Sequence, residues 1–363
     1  MTDLDGNWSD DESQRAIEFC KAYLDAPQSQ RYIFGRNVYA KAVAAQLEIA
    51  AYIDDFTDLT ISEGRQVVRS SDIPHDALVL AASGGMPLSV AALLNEKSIR
   101  NLDYFAFYKW SGLDLPEAVF NEGFNELYKD NKDAVVSLYE KLEDDESRST
   151  LEHLFAFRNT YNLRHLEGFK DRQKEQYFED FLQLKTDEAV FVDVGCFDGY
   201  TTQEFVKRVP TYEHIYIFEP DRANREVCAT NLKNLDRLSL LPYGAGKADE
   251  TLRFSQAGSA SSINPDGTLE IEVRRIDGLV DKNPSFIKMD IEGAEMDAIV
   301  GARETIRKSK PALAICVYHR PSDFWEIPKA VLELVPGYKV YLRHYTESIY
   351  ETVMYFVHPN EGN

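Results

Sequence analysis

The stretch FVDVGCFDGYTT, residues 191–202, decides the fold. An apolar run ends in Asp193, turns at Gly195 and Gly199, and leads into a helix opened by Thr201 and Thr202. Strand, glycine turn and helix in that order form a nucleotide-site layout, because glycine lets the backbone turn sharply and lets a ligand approach without a Cβ in the way. The next apolar run, HIYIFEP (214–220), ends at Glu219. That is near the roughly 20-residue offset at which an acid on the adjacent strand meets ribose hydroxyls.

The loop spacing is G-C-F-D-G, not G-x-G-x-x-G, and Asp193 and Asp198 would set negative charge against a pyrophosphate. A nucleoside carrying a sulfonium and an α-amino group suits such a loop better, which points to S-adenosylmethionine. The alternative is that both acids cap the following helix and hold turn amides. Cys196, inside the loop, counts among the cofactor-binding candidates, and its thiol reads as a small packing group, with redox chemistry the alternative.

Outward from this point, AVFVDVG, HIYIFEP, LSLLPYG, TLRFS, EIEVRRI, SFIKMD, PALAICVYH, YKVYLRHY and TVMYFV alternate with helical or turn segments. The alternation predicts a doubly wound α/β sheet over 188–363. RYIFG, AAYIDD and ALVLAAS, alternating with VYAKAVAAQLE and MPLSVAALLNE, predict a smaller α/β unit with a parallel sheet over 31–113. An acidic helical lead-in occupies 1–30. Over 114–187 apolar residues recur at three- and four-residue spacing amid many charges, which predicts a helical connector.

A chain of 363 residues with 44% hydrophobic content is too long for one core, so two domains are expected. Lys and Arg number 40 against 61 Asp and Glu, a net charge of −21 that disfavours nucleic acid and anionic lipid as partners. No run reaches the roughly 18 to 20 apolar residues of a membrane span, and the opening MTDLDGNWSDDES is acidic where a secretion signal is basic and then apolar. A cytoplasmic location is expected. Cys20, Cys196, Cys228 and Cys316 form no C-x-x-C pair, so neither a disulfide framework nor a zinc knuckle is indicated.

Through FVDVGCFDG, FEPDRANREVCATNL and above all IKMDIEGAEMDAIVGA, the sequence resembles the FkbM family of S-adenosylmethionine-dependent methyltransferases over about 188 to 357. PALAICVYHRPSDFWEIP, YLRHY and ETVMYF look like the endings of a bacterial branch of that family. The resemblance implies a class I methyltransferase sheet of seven strands whose last strand, TVMYFV, is reversed. It implies that Asp193, Gly195 and Gly199 line the methionine part, that Glu219 takes the ribose hydroxyls, and that Pro220 and Asp221 flank the adenine. Tyr243 and Gly244 in LPYGAG fall on the adenine side. It further implies O-methylation of a hydroxyl on a saccharide, nucleotide-sugar or related metabolite, with a small molecule or glycan as substrate.

In an open α/β sheet, reactive groups gather at the carboxyl ends of strands near the switch point. That selects Lys288, Asp290 and Glu292 after one strand and His319 after the next. Methyl transfer needs in-line alignment and removal of the hydroxyl proton. His319, with an ordinary pKa near 6.5, is the expected general base, with Asp290 orienting it or taking the proton itself. Structural hydrogen bonding is the alternative for His319, and a pair with Glu292 or Glu295 the alternative for Lys288. Asp290, Glu292, His319 and His344 are also oxygen and imidazole ligand types, so a divalent metal is a further role open to them. GSASSI (258–263) is a polar loop at the cofactor or acceptor, or an ordinary connection.

YIFGRNVYAKAVA followed by YIDD resembles the small Rossmann-like domains attached to sugar-modifying enzymes, with Gly35 at the first turn and Asp54 on the next strand. Arg36 and Asn37 stand where the dinucleotide fingerprint has further glycines, which disfavours NAD. An NAD(P)-dependent oxidoreductase and a non-catalytic binding scaffold are nevertheless the two rival readings. Ser83, Gly84 and Gly85 border a second crevice or serve packing, and a homodimer is compatible with such a domain. Arg148, Arg158 and Tyr177 in the connector are candidates to close over the acceptor, against a reading of Tyr177 and Phe178 as the buried face of a helix.

Overall fold

Two runs of aromatic and β-branched residues, YIF near residue 33 and VFVDV near residue 192, each seed a parallel sheet buried on both faces. The computed structural model describes residues 4–255, 262–263 and 265–359. They divide into two units: residues up to Asn125 with Ser149–Asp171 and Tyr345–Tyr350, and Glu126–Arg148 with Arg172–His344 and residues from Glu351. Residues 258–261 of the GSASSI loop lie outside the described residues. Among the described residues, no helix is long and apolar enough to cross a membrane.

The first unit holds β1 (Arg31–Phe34), β2 (Ala51–Ile53), β3 (Ile61–Ser62), β4 (Arg65–Val68), β5 (Leu78–Ala81) and β6 (Arg100–Asp103). Their order is β3-β4-β2-β1-β5-β6, parallel except for the β3–β4 pair. The chain leaves β1 in one direction to β2 and in the other to β5. One face packs Tyr32, Phe34, Ile53 and Val79 against Val90 and Leu94 of the helix Pro87–Glu96. Gly35 has φ +98°, and a Cβ there would lie 3.1 Å from the Ala82 carbonyl oxygen, so the first turn requires glycine. Asp54 is held by Arg36 at 2.8 Å.

The second unit holds β7 (Val190–Val194), β8 (His214–Phe218), β9 (Leu238–Leu241), β10 (Gly244–Ala245), β11 (Glu250–Ser255), β12 (Ser262–Ile263), β13 (Leu269–Arg274), β14 (Phe286–Met289), β15 (Ala312–Cys316), β16 (Lys339–His344) and β17 (Thr352–Val357). Seven of these form one sheet in the order β16-β17-β15-β14-β7-β8-β9. Counted along the chain within that sheet, the order is 6-7-5-4-1-2-3. β17 runs antiparallel to both neighbours, as expected for TVMYFV, and the chain leaves β7 in one direction to β8 and in the other to β14. TLRFS and EIEVRRI do not join this sheet. They form β11 and β13 of a separate four-stranded sheet, β10-β13-β11-β12, whose apolar face carries Phe254, Ile271 and Val273. Beneath the carboxyl ends of the main sheet, Phe191 stacks on Phe205 and Phe286 at centroid distances of 4.5 and 5.1 Å.

Within 114–187 the helices are Phe124–Asp130, Lys132–Lys141 and Asp145–Thr160, followed by short 3-10 turns at Leu163–Leu166, Gln173–Glu175 and Asp180–Leu182. Tyr177 is therefore not on a helix face: it sits in a turn with φ +72°. Its N–H donates to the Tyr355 hydroxyl of β17 at 3.0 Å, a tertiary bond that no local periodicity announces.

Candidate active site

β7 carries its functional acid inside the sheet. Asp193 is fully buried, and its register partner on β14 is Lys288. The carboxylate and ammonium stand 3.4 Å apart, and the Thr202 hydroxyl donates to Asp193 Oδ2 at 2.8 Å. Burial works to lower the Lys288 pKa, but the carboxylates of Asp193 and Asp290 outweigh it and raise the pKa above the usual lysine range. The Lys288 Nζ also donates to the carbonyls of Gly195 at 2.5 Å and Val194 at 3.4 Å. The expected pairing of Lys288 with Glu292 or Glu295 is thus replaced by one with Asp193, because neighbouring parallel strands set the two side by side.

Gly195 follows with φ +81°, and a Cβ there would fall 1.9 Å from the Asp290 carbonyl oxygen. Only glycine lets the loop after β7 lie against the loop after β14. Over these ends, and under the face of the small sheet, lies a cavity of about 380 Å³. Gly195, Cys196, Asp198, Glu219, Pro220, Gly244, Lys288, Asp290 and Glu292 line it, with Phe254 and Ile271 as an apolar wall. Glu219 is buried, its Oε2 accepting the Phe197 N–H at 3.1 Å and its Oε1 the Asp221 N–H at 2.9 Å. Burial raises its pKa despite these two donors.

Other expected residues lie away from the cavity wall. Asp193 and Gly199 support the loop from behind it. Asp221 caps the helix Arg222–Asn231, accepting from Ala223 and Asn224. Tyr243 lies under the Arg274 guanidinium, 5.1 Å from its ring centroid. Cys196, by contrast, lines the cavity and meets Cys228 behind it, sulfur to sulfur at 3.4 Å, and this contact together with burial pushes its thiol well up. His344 is buried against Thr352 at 2.9 Å. Of the three connector candidates, only Tyr177 reaches the cavity. Arg158 is fully buried in the first unit, donating to the Phe120 and Ile349 carbonyls, and Arg148 donates to the Leu142 carbonyl and pairs with Asp145.

At the inner end, Asp290 receives a 2.7 Å hydrogen bond from the Tyr177 hydroxyl. Gln176 Nε2 donates to that hydroxyl at 2.9 Å and to Glu351 Oε2 at 2.6 Å. His319 stands behind Asp290 and Glu292, its ring fully buried. Its Nδ1 is 2.9 Å from Glu295 Oε1, and its Nε2 is 3.6 Å from Asp290 and 3.7 Å from Glu292. Burial would lower the imidazole pKa, yet Glu295, Asp290 and Glu292 lift it to about 9. These carboxylates favour the charged ring over the neutral base expected at position 319. Glu292 moves the opposite way, to about 7, because burial outweighs the attraction of His319 and the nearby acids add to it. Asp290 is lowered: burial opposes ionisation, but Lys288, His319 and the Tyr177 hydroxyl together prevail.

Gln176, Glu295 and Glu351 are the site residues that the sequence reading missed. A signal existed for Glu351, which directly precedes β17. Because that strand is reversed, its first residues lie level with the carboxyl ends of the parallel strands, as the pairing of Cys316 with Val353 shows.

This sheet order, with its last-formed strand reversed and a cavity over the ends of β7, β8 and β14, is the class I methyltransferase fold. Residues 193–347, less than half of the chain, match the model of the methyltransferase FkbM domain. It is 26% identical over 186 residues to "2-O-methyltransferase NoeI" of Sinorhizobium fredii, a match spanning 43% of this chain and 75% of that protein. It shares its fold with the crystal structure of methyltransferase FkbM from Methylobacillus flagellatus KT, at TM-score 0.75 and 23% identity, over 94% of this chain and 93% of the other.

Proposed function

We propose that the chain moves a methyl group from S-adenosylmethionine to a hydroxyl oxygen of a saccharide or related metabolite. The observation that carries this reading is the placement of Glu219 and the Gly195 loop on one cavity at the switch point of the sheet. A carboxylate has about four acceptor positions, so Glu219 keeps capacity for ribose hydroxyls beyond its two backbone donors. Asp198 and Asp290 offer negative charge to the sulfonium and amino group, and Phe254 and Ile271 offer an apolar seat. The name of the relative from S. fredii supports oxygen as the accepting atom.

In the step itself, the acceptor oxygen attacks the methyl carbon from the side opposite sulfur. The C–S bond breaks, its electron pair stays on sulfur as a neutral thioether, and the hydroxyl proton passes to a carboxylate. Asp290 and Glu292 face the cavity and His319 does not, so the carboxylates are the nearer proton acceptors and His319 is a positioning residue. The dinucleotide reading has no comparable support, since Asp54 is occupied by Arg36.

The test supplies S-adenosylmethionine labelled on its methyl group, with a panel of saccharides and nucleotide-sugars. Label in a hydroxyl, with one S-adenosylhomocysteine formed per methyl, is expected. No incorporation across the panel by protein that binds the cofactor would overturn the saccharide reading.

A further inference from the structure

The inner end of the cavity brings three ligand-type groups to one point. Asp290 Oδ1 and Glu292 Oε2 lie 3.6 and 3.7 Å from the same atom, His319 Nε2. Ligands bonded to one cation at about 2.0–2.2 Å stand roughly 3 to 3.5 Å apart, so each of the two carboxylates stands within tenths of an ångström of ligand spacing from the imidazole nitrogen. The other ring nitrogen already has the arrangement typical of metal-bound histidine, a carboxylate partner: Glu295 Oε1, 2.9 Å away, which also accepts the Ile291 N–H at 2.8 Å.

Glu295 supplies an independent sign. It is fully buried, and its Oε2 has no hydrogen-bond partner among the described residues. Oxygens of Asp290 and Glu295 and a nitrogen of His319 lie within 4.8 Å of one another, so the Glu295 carboxylate belongs to the same nest. A buried carboxylate oxygen without a donor is costly, and a cation with its bound water is the partner it lacks. The backbone also bends to build the nest: Glu292 has φ +54°, a left-handed conformation that side-chain-bearing residues keep where the surroundings hold them.

We propose that Asp290, Glu292 and His319 bind one divalent cation of the magnesium and manganese class, which takes the place of the proton on His319 Nε2, with Glu295 fixing the imidazole through Nδ1. Two carboxylates and water are hard oxygen ligands suited to such ions. Each carboxylate binds through one oxygen and keeps the other for the acceptor's proton, while the cation holds the acceptor oxygen in line with the methyl group. That last role rests on the methyl-transfer reading above; the cation site itself does not.

The experiment titrates Mn2+ into the full chain and reads free Mn2+ by electron paramagnetic resonance, with S-adenosylhomocysteine binding measured in parallel by calorimetry. One Mn2+ per chain, displaced by Mg2+, is expected. His319→Ala and Asp290→Asn should each weaken it at least tenfold, and Glu295→Gln should weaken it by about 10- to 100-fold, the usual effect of losing such a partner. Since a substitution here can unfold the nest, the wild-type chain is also read alone, and Mn2+ should raise its Tm saturably. No saturable Mn2+ binding by protein that binds S-adenosylhomocysteine, or undiminished binding in both ligand variants, overturns the cation site and leaves the cofactor reading standing. Loss of both binding events would sink the two together.

Discussion

Asp193 on β7 and Lys288 on β14 are register partners, and their charged groups meet 3.4 Å apart with both side chains out of solvent. The pair ties the floor of the cavity to the Gly195 carbonyl through Lys288. Removing one partner of a buried pair leaves an uncompensated charge, which costs about 3–5 kcal/mol. Asp193→Asn should destabilise the chain by that order in urea unfolding, and Asp193→Asn with Lys288→Met should recover part of it. A loss below roughly 1 kcal/mol, the range of an exposed pair, would show that the pair does not hold the floor.

Gly195→Ala places a Cβ where the Asp290 carbonyl stands, at a residue with φ +81°. Backbone strain alone costs about 1–3 kcal/mol, and the overlap forces the two loops apart. Both stability and cofactor affinity should fall. Unchanged calorimetric binding of S-adenosylhomocysteine in this variant would mean that the loop contact does not shape the cavity.

Glu219 touches two backbone amides and the cavity. Hydrogen bonds to charged groups contribute about 1.5–3 kcal/mol, so Glu219→Ala should bind S-adenosylhomocysteine about ten- to a hundredfold more weakly. Glu219→Gln, which keeps one acceptor oxygen, should fall between the two. Equal affinity in all three would remove Glu219 from the cofactor site.

Away from the site, Arg343 pairs with Asp144 at 2.6 Å, and Ser147 donates to the same carboxylate. Burial opposes ionisation of Asp144, but these donors win and lower its pKa to about 2. A folded pKa below the unfolded one means stability that is present above about pH 4 and lost as pH falls through 2. Asp144 is 35% exposed, so solvent screening limits the gain to the order of 1 kcal/mol. Wild type should exceed Asp144→Asn in urea stability at pH 7, and the two should converge near pH 2. A constant gap across that range would contradict the assignment.

The strands that build the main sheet were legible because parallel strands buried on both faces are unbroken apolar runs, as in VFVDV and ALAIC. TLRFS and EIEVRRI have the same local signature, yet only their pairing partners place them in a second sheet. In the site, Gly195, Glu219, Asp290 and Glu292 were legible because glycine and acid at strand ends have a backbone-level cause. Gln176 and Glu351 were not, since they come from segments far apart in the chain and meet through a tertiary bond, while Tyr177, named only as a connector candidate, is placed by its bonds to Tyr355 and Asp290. The charge state of His319 was hidden for a similar reason. It depends on three carboxylates from one loop converging on a ring from the next strand end.

A crystal structure of the chain with S-adenosylhomocysteine tests the central claim most directly. The account predicts the ribose hydroxyls within hydrogen-bond distance of Glu219 and the sulfur directed toward Asp290 and Glu292. A nucleoside bound elsewhere, or a sulfur turned away from those carboxylates, would contradict it.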